Sequence, residues 1–253
     1  MKKYALLALV AAAMLMSTPA GGDIVRAQEK DVPKMEVGAQ FSSLSVNEPD
    51  EFDFGGTNNF VGFGGRFTYN LTHYFAVEAE GNFYPNKTFA TISTGGRVTQ
   101  AQFGVKVGKR FDRFGVFAKA RPGFVSFGEA LDITVVQTLV FNGVPTTVFN
   151  FGTARKTYFS TDVGGVLEFY PSRHLVTRFD AGDTIIRYGR RNDIADVPVL
   201  ISPGQVAFSS QLTSVPAETK HNFGFSAGVG YRFGGSSGNG GGSDDGGASQ
   251  SGA

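Results

Sequence analysis

Eight stretches of this sequence alternate an apolar residue with a small or polar one for ten or more positions: 36–45, 60–69, 74–84, 98–109, 114–127, 158–170, 175–188 and 222–233. Two is the side-chain period of a β-strand, so each stretch is read as a strand with one greasy and one polar face. The last is the cleanest: Phe223, Phe225, Ala227, Val229, Tyr231 and Phe233 oppose Asn222, Gly224, Ser226, Gly228, Gly230 and Arg232. Such a repeat confines the chain to an all-β fold in which every strand must bury or shield one face.

The polar faces decide which way round. Pooled, they hold Glu36, Glu78, Glu80, Asp162, Glu168 and Asp180 against Arg66, Lys106, Lys119, Arg121, Arg178 and Arg232, six acids for six bases. A soluble barrel turns its apolar face inward and leaves such charges in water. A small membrane barrel does the reverse, with apolar side chains toward lipid and polar groups enclosed. Three features favour the membrane form. The chain has 25 phenylalanines. Aromatic residues stand near strand ends (Tyr69, Tyr74, Phe83, Tyr170, Tyr231, Phe233), where they suit the membrane interfaces. Strands of this length cross a bilayer when tilted. Glycine on the polar faces is expected to make room for neighbouring arginines and lysines in a narrow interior.

The joins alternate as regularly as the strands. Short ones (70–73, 110–113, 171–174) follow strands two, four and six, and long ones (46–59, 85–97, 128–157, 189–221) follow the odd strands. Short periplasmic turns and long extracellular loops are the asymmetry of an outer-membrane barrel. The prediction is therefore an eight-stranded antiparallel transmembrane β-barrel over residues 35–233. Within the third long join, 133–141 and 144–149 flank Asn142-Gly143 and read as a hairpin that prolongs strands five and six. Counting it as two more spanning strands would give ten, with Pro145 unwelcome near a strand start.

The ends carry a different message. Met1-Lys2-Lys3 precedes a short apolar run, Tyr4 to Met16, and small residues lead to Ala27, the pattern of a secretory signal peptide over 1–27, with cleavage after Ala20 as the alternative. Removing it takes three bases and one acid from totals of 23 and 22, so 20 bases face 21 acids; such balance argues against a nucleic-acid partner. There is no cysteine, hence no disulfide and no thiolate metal site. Residues 234–253 are Gly/Ser-rich with nothing to bury and are expected to be a disordered tail.

With these residues in view, the chain resembles the small outer-membrane β-barrel family of Gram-negative bacteria, the OmpA/OmpX-like superfamily. The likeness covers about residues 35–233. "YNLTHYFAVEAEGNFYP" (69–85) resembles that family's strand, periplasmic turn and strand, and "FGFSAGVGYRF" (223–233) its terminal strand. The resemblance implies that Phe233 and Tyr231 form the signal read by the barrel-assembly machinery, although this chain continues 20 residues past Phe233. It also implies outer-membrane lipids and lipopolysaccharide as surroundings, whereas the wall-anchoring domain of the family's larger members is not expected after this barrel; a monomer without a cofactor is expected.

No catalytic or metal residues are assigned. His73 and His174 fall in short turns. His221, near Lys220 and serines 209, 210 and 214, is the one candidate base for a rim enzyme acting on lipid. Glu48, Asp50, Glu51 and Asp53 form an acidic loop without calcium-motif spacing. Asn70-Leu-Thr and Asn86-Lys-Thr match a glycosylation triplet common by chance. An eight-stranded barrel is only wide enough for its own side chains, so a plugged interior and a structural or surface-interaction role through long loops are expected, with a narrow solute channel as the competing reading.

Overall fold

The computed structural model describes residues 32–49, 56–141 and 144–234, and these are all-β, so the expected signal peptide and most of the tail lie outside the described residues. Ten strands follow one another: β1 (Met35–Asn47), β2 (Thr57–Asn70), β3 (Phe75–Thr88), β4 (Gly96–Arg110), β5 (Phe114–Phe141), β6 (Val144–Phe169), β7 (Leu175–Tyr188), β8 (Arg191–Ser202), β9 (Gln205–Val215) and β10 (Glu218–Phe233). Eight close into a barrel in the order β1-β10-β7-β6-β5-β4-β3-β2, every neighbour antiparallel. Closure leaves no strand edge facing lipid, where unpaired backbone groups would be costly. β1 completes the ring, pairing Met35 with Phe233 of β10 on one side and with Tyr69 of β2 on the other.

The barrel is inside-out over most of its height. Val37, Phe41, Phe63, Phe67, Phe103, Phe124, Phe179 and Val229 are exposed on the outer wall, while Glu78, Lys106, Arg121, Glu168 and Arg178 are buried. The apolar outer band is the surface that lipid covers.

Toward the extracellular end the two faces exchange character. Going up the inward positions, Ser42 gives way to Leu44 and Val46, Asn82 to Tyr84, Gln100 to Val98, and Thr184 to Ile186 and Tyr188, all buried. With Phe60, Val125 and Phe127 these side chains form one apolar cluster inside the barrel. Over the same stretch the outward positions become polar: Thr57, Asn59, Arg97, Thr99, Thr157, Arg187, Thr219 and His221 are exposed. A wall that turns polar outward and apolar inward has left hydrocarbon for water, so the inversion marks the outer boundary of the lipid-facing band.

Beyond that level two hairpins stand clear. The paired part of β5 and β6 beyond Phe127 and Lys156 reaches Phe141 and Val144, so 133–149 prolongs two barrel strands and adds none to the ring. The barrel thus has the eight strands expected, and the alternative count of ten spanning strands falls away. The join 189–221, expected to be loop, instead contains β8 and β9, which form their own two-stranded sheet while β7 and β10 pair directly from Tyr188 and Glu218 downward. Its turn is Pro203-Gly204, with Gly204 at φ +82°, a position only glycine takes without strain.

The interior glycines do more than admit long side chains. A Cβ at Gly104 would stand 2.1 Å from the Ala120 carbonyl oxygen, against the neighbouring backbone itself. At Gly64 the Asn82 side chain would stand 2.0 Å away and the Gly81 carbonyl oxygen 2.4 Å away, so a neighbouring side chain and the backbone both need the space.

Candidate functional site

The lumen holds a layered filling. Opposite charges face each other across strands in register: Arg66 with Glu80, Arg121 with Asp162, Glu168 with Arg178, and Glu36 with Arg232. Arg178 is at the centre. It grips Glu78 through both oxygens, one at 2.9 Å, and Asp180 through Nε at 2.7 Å and Nη2 at 2.9 Å. Arg121 binds Asp162 (2.5 Å and 3.1 Å) and Glu80, and lies 3.6 Å from Glu78. Such two-pronged guanidinium contacts fix orientation as well as charge.

Lys106 and Lys119 are cross-strand neighbours, a repulsive pair in isolation. The acids separate them: Lys106 binds Glu168 and lies 3.4 Å from Glu78, whereas Lys119 lies 2.7 Å from Asp162 and 3.4 Å from Asp180. Arg66 donates to Gln40 at 3.0 Å and approaches Asp180 at 3.9 Å.

Ten of the twelve expected charges therefore meet in one network, and Glu36 and Arg232 form a second cluster at the periplasmic end, 3.4 Å apart. Arg110 joins them there, 3.8 Å from Glu36 and bonded to Asn70. The sequence pattern places Arg110 in a turn, although it continues the inward parity of Lys106 and Gly108. Asn70 donates to Pro33 O at 2.7 Å and Glu36 at 2.9 Å, so this buried triplet asparagine is a structural anchor. Arg232 stacks 4.4 Å over Tyr170, whose phenol donates to Glu168 at 2.9 Å; burial and then the Glu168 carboxylate push its pKa upward.

Above the ionic layer a cavity of about 20 Å³ lies among Asn82, Gln100, Arg121 and Ser226, room for about one water. The apolar cluster comes next. The β3–β4 connection then folds over the mouth with Ile92, Ser93 and Thr94 buried, its carbonyls at Ile92 and Ser93 held by Lys156 Nζ (2.7 Å) and Tyr158 (2.9 Å). Glu48 accepts from Asn58 at 2.7 Å and from Thr94, so it clasps this cap; the other loop acids, Asp50, Glu51 and Asp53, lie outside the described residues. Charge, grease and cap succeed one another along the lumen of the described residues.

The histidines occupy separate places. His73 contacts Arg110 O at 3.2 Å and His174 stacks on Tyr231 at 5.7 Å, both at the periplasmic turns. His221 pairs with Asp183 on the adjacent strand at 2.5 Å. The serines expected beside it are used elsewhere: Ser209 bonds Pro145 O at 2.5 Å, Ser210 bonds Asp196 at 2.6 Å, and Ser214 is opposite Asn192 in the β8–β9 sheet. Among the described residues no group of His, Cys, Asp and Glu could hold a metal ion. Tyr231 and Phe233 stack on the outer wall 6.3 Å apart.

The exposed face that remains is extracellular. No charge occurs from 133 to 154 or from 197 to 217. Val136, Val140 and Phe151 on one hairpin and Leu200, Val206 and Phe208 on the other stand exposed. Ser209 of β9 rests on Pro145 of β6, so the two hairpins lean together.

A family model described as "Outer membrane protein beta-barrel domain" matches residues 5–233. Solved structures to which the chain is similar include Neisserial surface protein A (NspA), at 14% identity over 79% of this chain and 97% of that one, TM-score 0.41. Ail, the attachment invasion locus protein of Yersinia pestis, is 13% identical over 79% and 96%, TM-score 0.39. The N-terminal β-barrel domain of Pseudomonas aeruginosa OprF is 12% identical over 79% and 98%, TM-score 0.39. Among curated proteins none matches the chain significantly.

Proposed function

From the premise that the chain belongs to the outer membrane protein β-barrel domain family and sits in the outer membrane of a Gram-negative bacterium, we propose that it is a non-enzymatic anchor displaying its two hairpins for contact beyond the cell. One observation carries this reading. Strands β5 and β6 have 28 and 26 residues while the other barrel strands have 13 to 16, and the surplus ends in uncharged, exposed apolar side chains. Apolar groups held above the lipid on paired strands suit contact with a surface. The filled lumen speaks for an anchor over a channel.

The remaining assignments belong to the same proposal. Residues 1–27 direct export and are removed, and Tyr231 with Phe233 addresses the chain to the assembly machinery. The protein then stands as a monomer among outer-membrane lipids and lipopolysaccharide.

The test replaces 134–151 with a tight turn. The shortened protein is expected to reach the outer membrane and to keep the faster migration of an unheated folded barrel in detergent gels, while cells carrying it lose retention on apolar and cell-coated surfaces. Retention equal to that of the full-length protein would refute the surface role. Discrete conductance steps in a planar bilayer would instead establish the narrow channel.

A further inference from the structure

We propose that the cleft at the foot of the two hairpins binds a phosphate-bearing sugar. A cavity of about 220 Å³ opens there between β5–β6 and the start of β8. Its polar wall is Asp132, Lys156, Arg190, Arg191 and Asn192, three cations for one carboxylate. Leu131 and Ile133 supply apolar surface beside them.

Two of the three cations are held in place by the fold. Lys156 is fixed by the carbonyls of Ile92 (2.7 Å) and Leu131 (2.9 Å). Arg191 is buried, steadied by Pro216 O at 3.5 Å and by Glu218 at 3.6 Å, and Glu218 is itself shared with Lys220 at 2.7 Å. Arg190 is exposed and can close on a ligand. Positioned cations lose little freedom on binding, and arginine takes phosphate oxygens in a two-pronged grip. A cleft of this size accepts one sugar ring and not a drug-sized molecule. The asparagine amide suits ring hydroxyls, and the leucine and isoleucine suit the C–H face of the ring.

Charge is concentrated at this level of the hairpins. Both tips are uncharged, whereas Asp132, Lys156, Arg190, Arg191, Asp193 and Glu218 stand toward the base. Leu131 lies four residues beyond Phe127, the top of the apolar cluster, which sets the cleft roughly 10–15 Å above it along the strand. The polar zone of a bilayer extends about 5–8 Å past the hydrocarbon on each side. The cleft therefore opens in the sugar layer outside the lipid headgroups. A phosphorylated core sugar of the surrounding lipopolysaccharide and a free sugar phosphate share the chemistry required.

The experiment titrates the detergent-solubilised protein with four probes by calorimetry: glucosamine, glucosamine 6-phosphate, delipidated phosphorylated core oligosaccharide, and the same oligosaccharide after phosphatase treatment. Phosphorylated probes are expected to bind at least about tenfold more tightly than their phosphate-free counterparts. Arg190→Ala should weaken them by about tenfold, with Arg190→Lys in between. Arg155→Ala, on the opposite face of β6, should leave affinity unchanged, and unheated gel mobility should show every variant folded. Tighter binding of the oligosaccharide assigns the site to lipopolysaccharide, and equal or tighter binding of the monosaccharide assigns it to free sugar phosphates. Binding that ignores phosphate, or that survives Arg190→Ala undiminished, overturns the proposal. The site stands or falls separately from the retention of cells by the hairpin tips.

Discussion

The lower and upper parts of this one barrel solve opposite solvation problems with the same strands. Around Arg178 and Glu78 the interior is ionic and the wall outside is Phe and Val, whereas a few residues higher Leu44, Phe60, Val98 and Ile186 fill the interior and Thr57, Asn59, Thr99 and Arg187 face outward. Strand direction, pairing and parity continue unchanged between the two. What changes is the solvent. In lipid, enclosure is where charge finds partners; in water, enclosure is where apolar groups are stabilised by burial. The interior thus carries no rule of its own, and the outer environment can be read from it.

The comparison makes the ionic layer the most fragile part. Arg178→Met leaves Glu78, Asp180 and Glu168 enclosed with fewer cations, and losing one partner of a buried pair costs about 3–5 kcal/mol. Urea unfolding from lipid vesicles should register a larger loss for it than for any substitution on the outer wall or in the apolar cluster. Stability within about 1 kcal/mol of the parent would mean that water reaches the layer and that the filled-lumen reading is wrong. On the outer wall, Ala79 lies between Phe67 and Phe103 in the lipid-facing band. Ala79→Arg should cost about 2–4 kcal/mol, the penalty of a cation near the bilayer midplane. An unchanged unfolding curve for Ala79→Arg would place the band elsewhere.

Much of this arrangement was legible in the residues, and the gaps have physical causes. Alternation by twos gives a strand's faces without knowing its partners, so the eight barrel strands and the prolongation of β5 and β6 could be read directly. Leu44 and Phe60 share the parity of Ser42 and Gly62, and following that parity upward without asking for charge would have found the apolar layer. Strands β8 and β9 were hidden because Pro198 and the run of serines at 209, 210 and 214 imitate a loop. The Pro203-Gly204 turn was the available signal. Arg110 was missed through strand length, since a strand's last inward residue and a turn's first look alike. Assembly of ten charges into one network depends on cross-barrel distances, which parity within a strand does not contain.

In the upper region apolar packing replaces charge, and its losses should be smaller. Leu44→Ala removes a fully buried side chain from the cluster, at a cost of about 2 kcal/mol, the low end for leucine truncation because the neighbouring cap can settle inward. Its effect should be confined to unfolding free energy, with the ionic layer intact below. If Leu44→Ala instead matched Arg178→Met, the two layers would unfold as one unit, and the comparison would lose its meaning.

The smallest effect is the sharpest test of the boundary. Thr99 is exposed on the same strand face as Phe103, four residues higher, with Arg97 exposed two residues beyond it. A cation at the interface costs only about 0–1 kcal/mol, so Thr99→Arg should unfold almost as the parent does while Ala79→Arg does not. Both substitutions introduce the same side chain on the outer wall, and they differ mainly in depth. Similar losses at the two positions would put Thr99 inside hydrocarbon, and the apolar cluster behind it would then need an explanation other than a wall that has emerged into water.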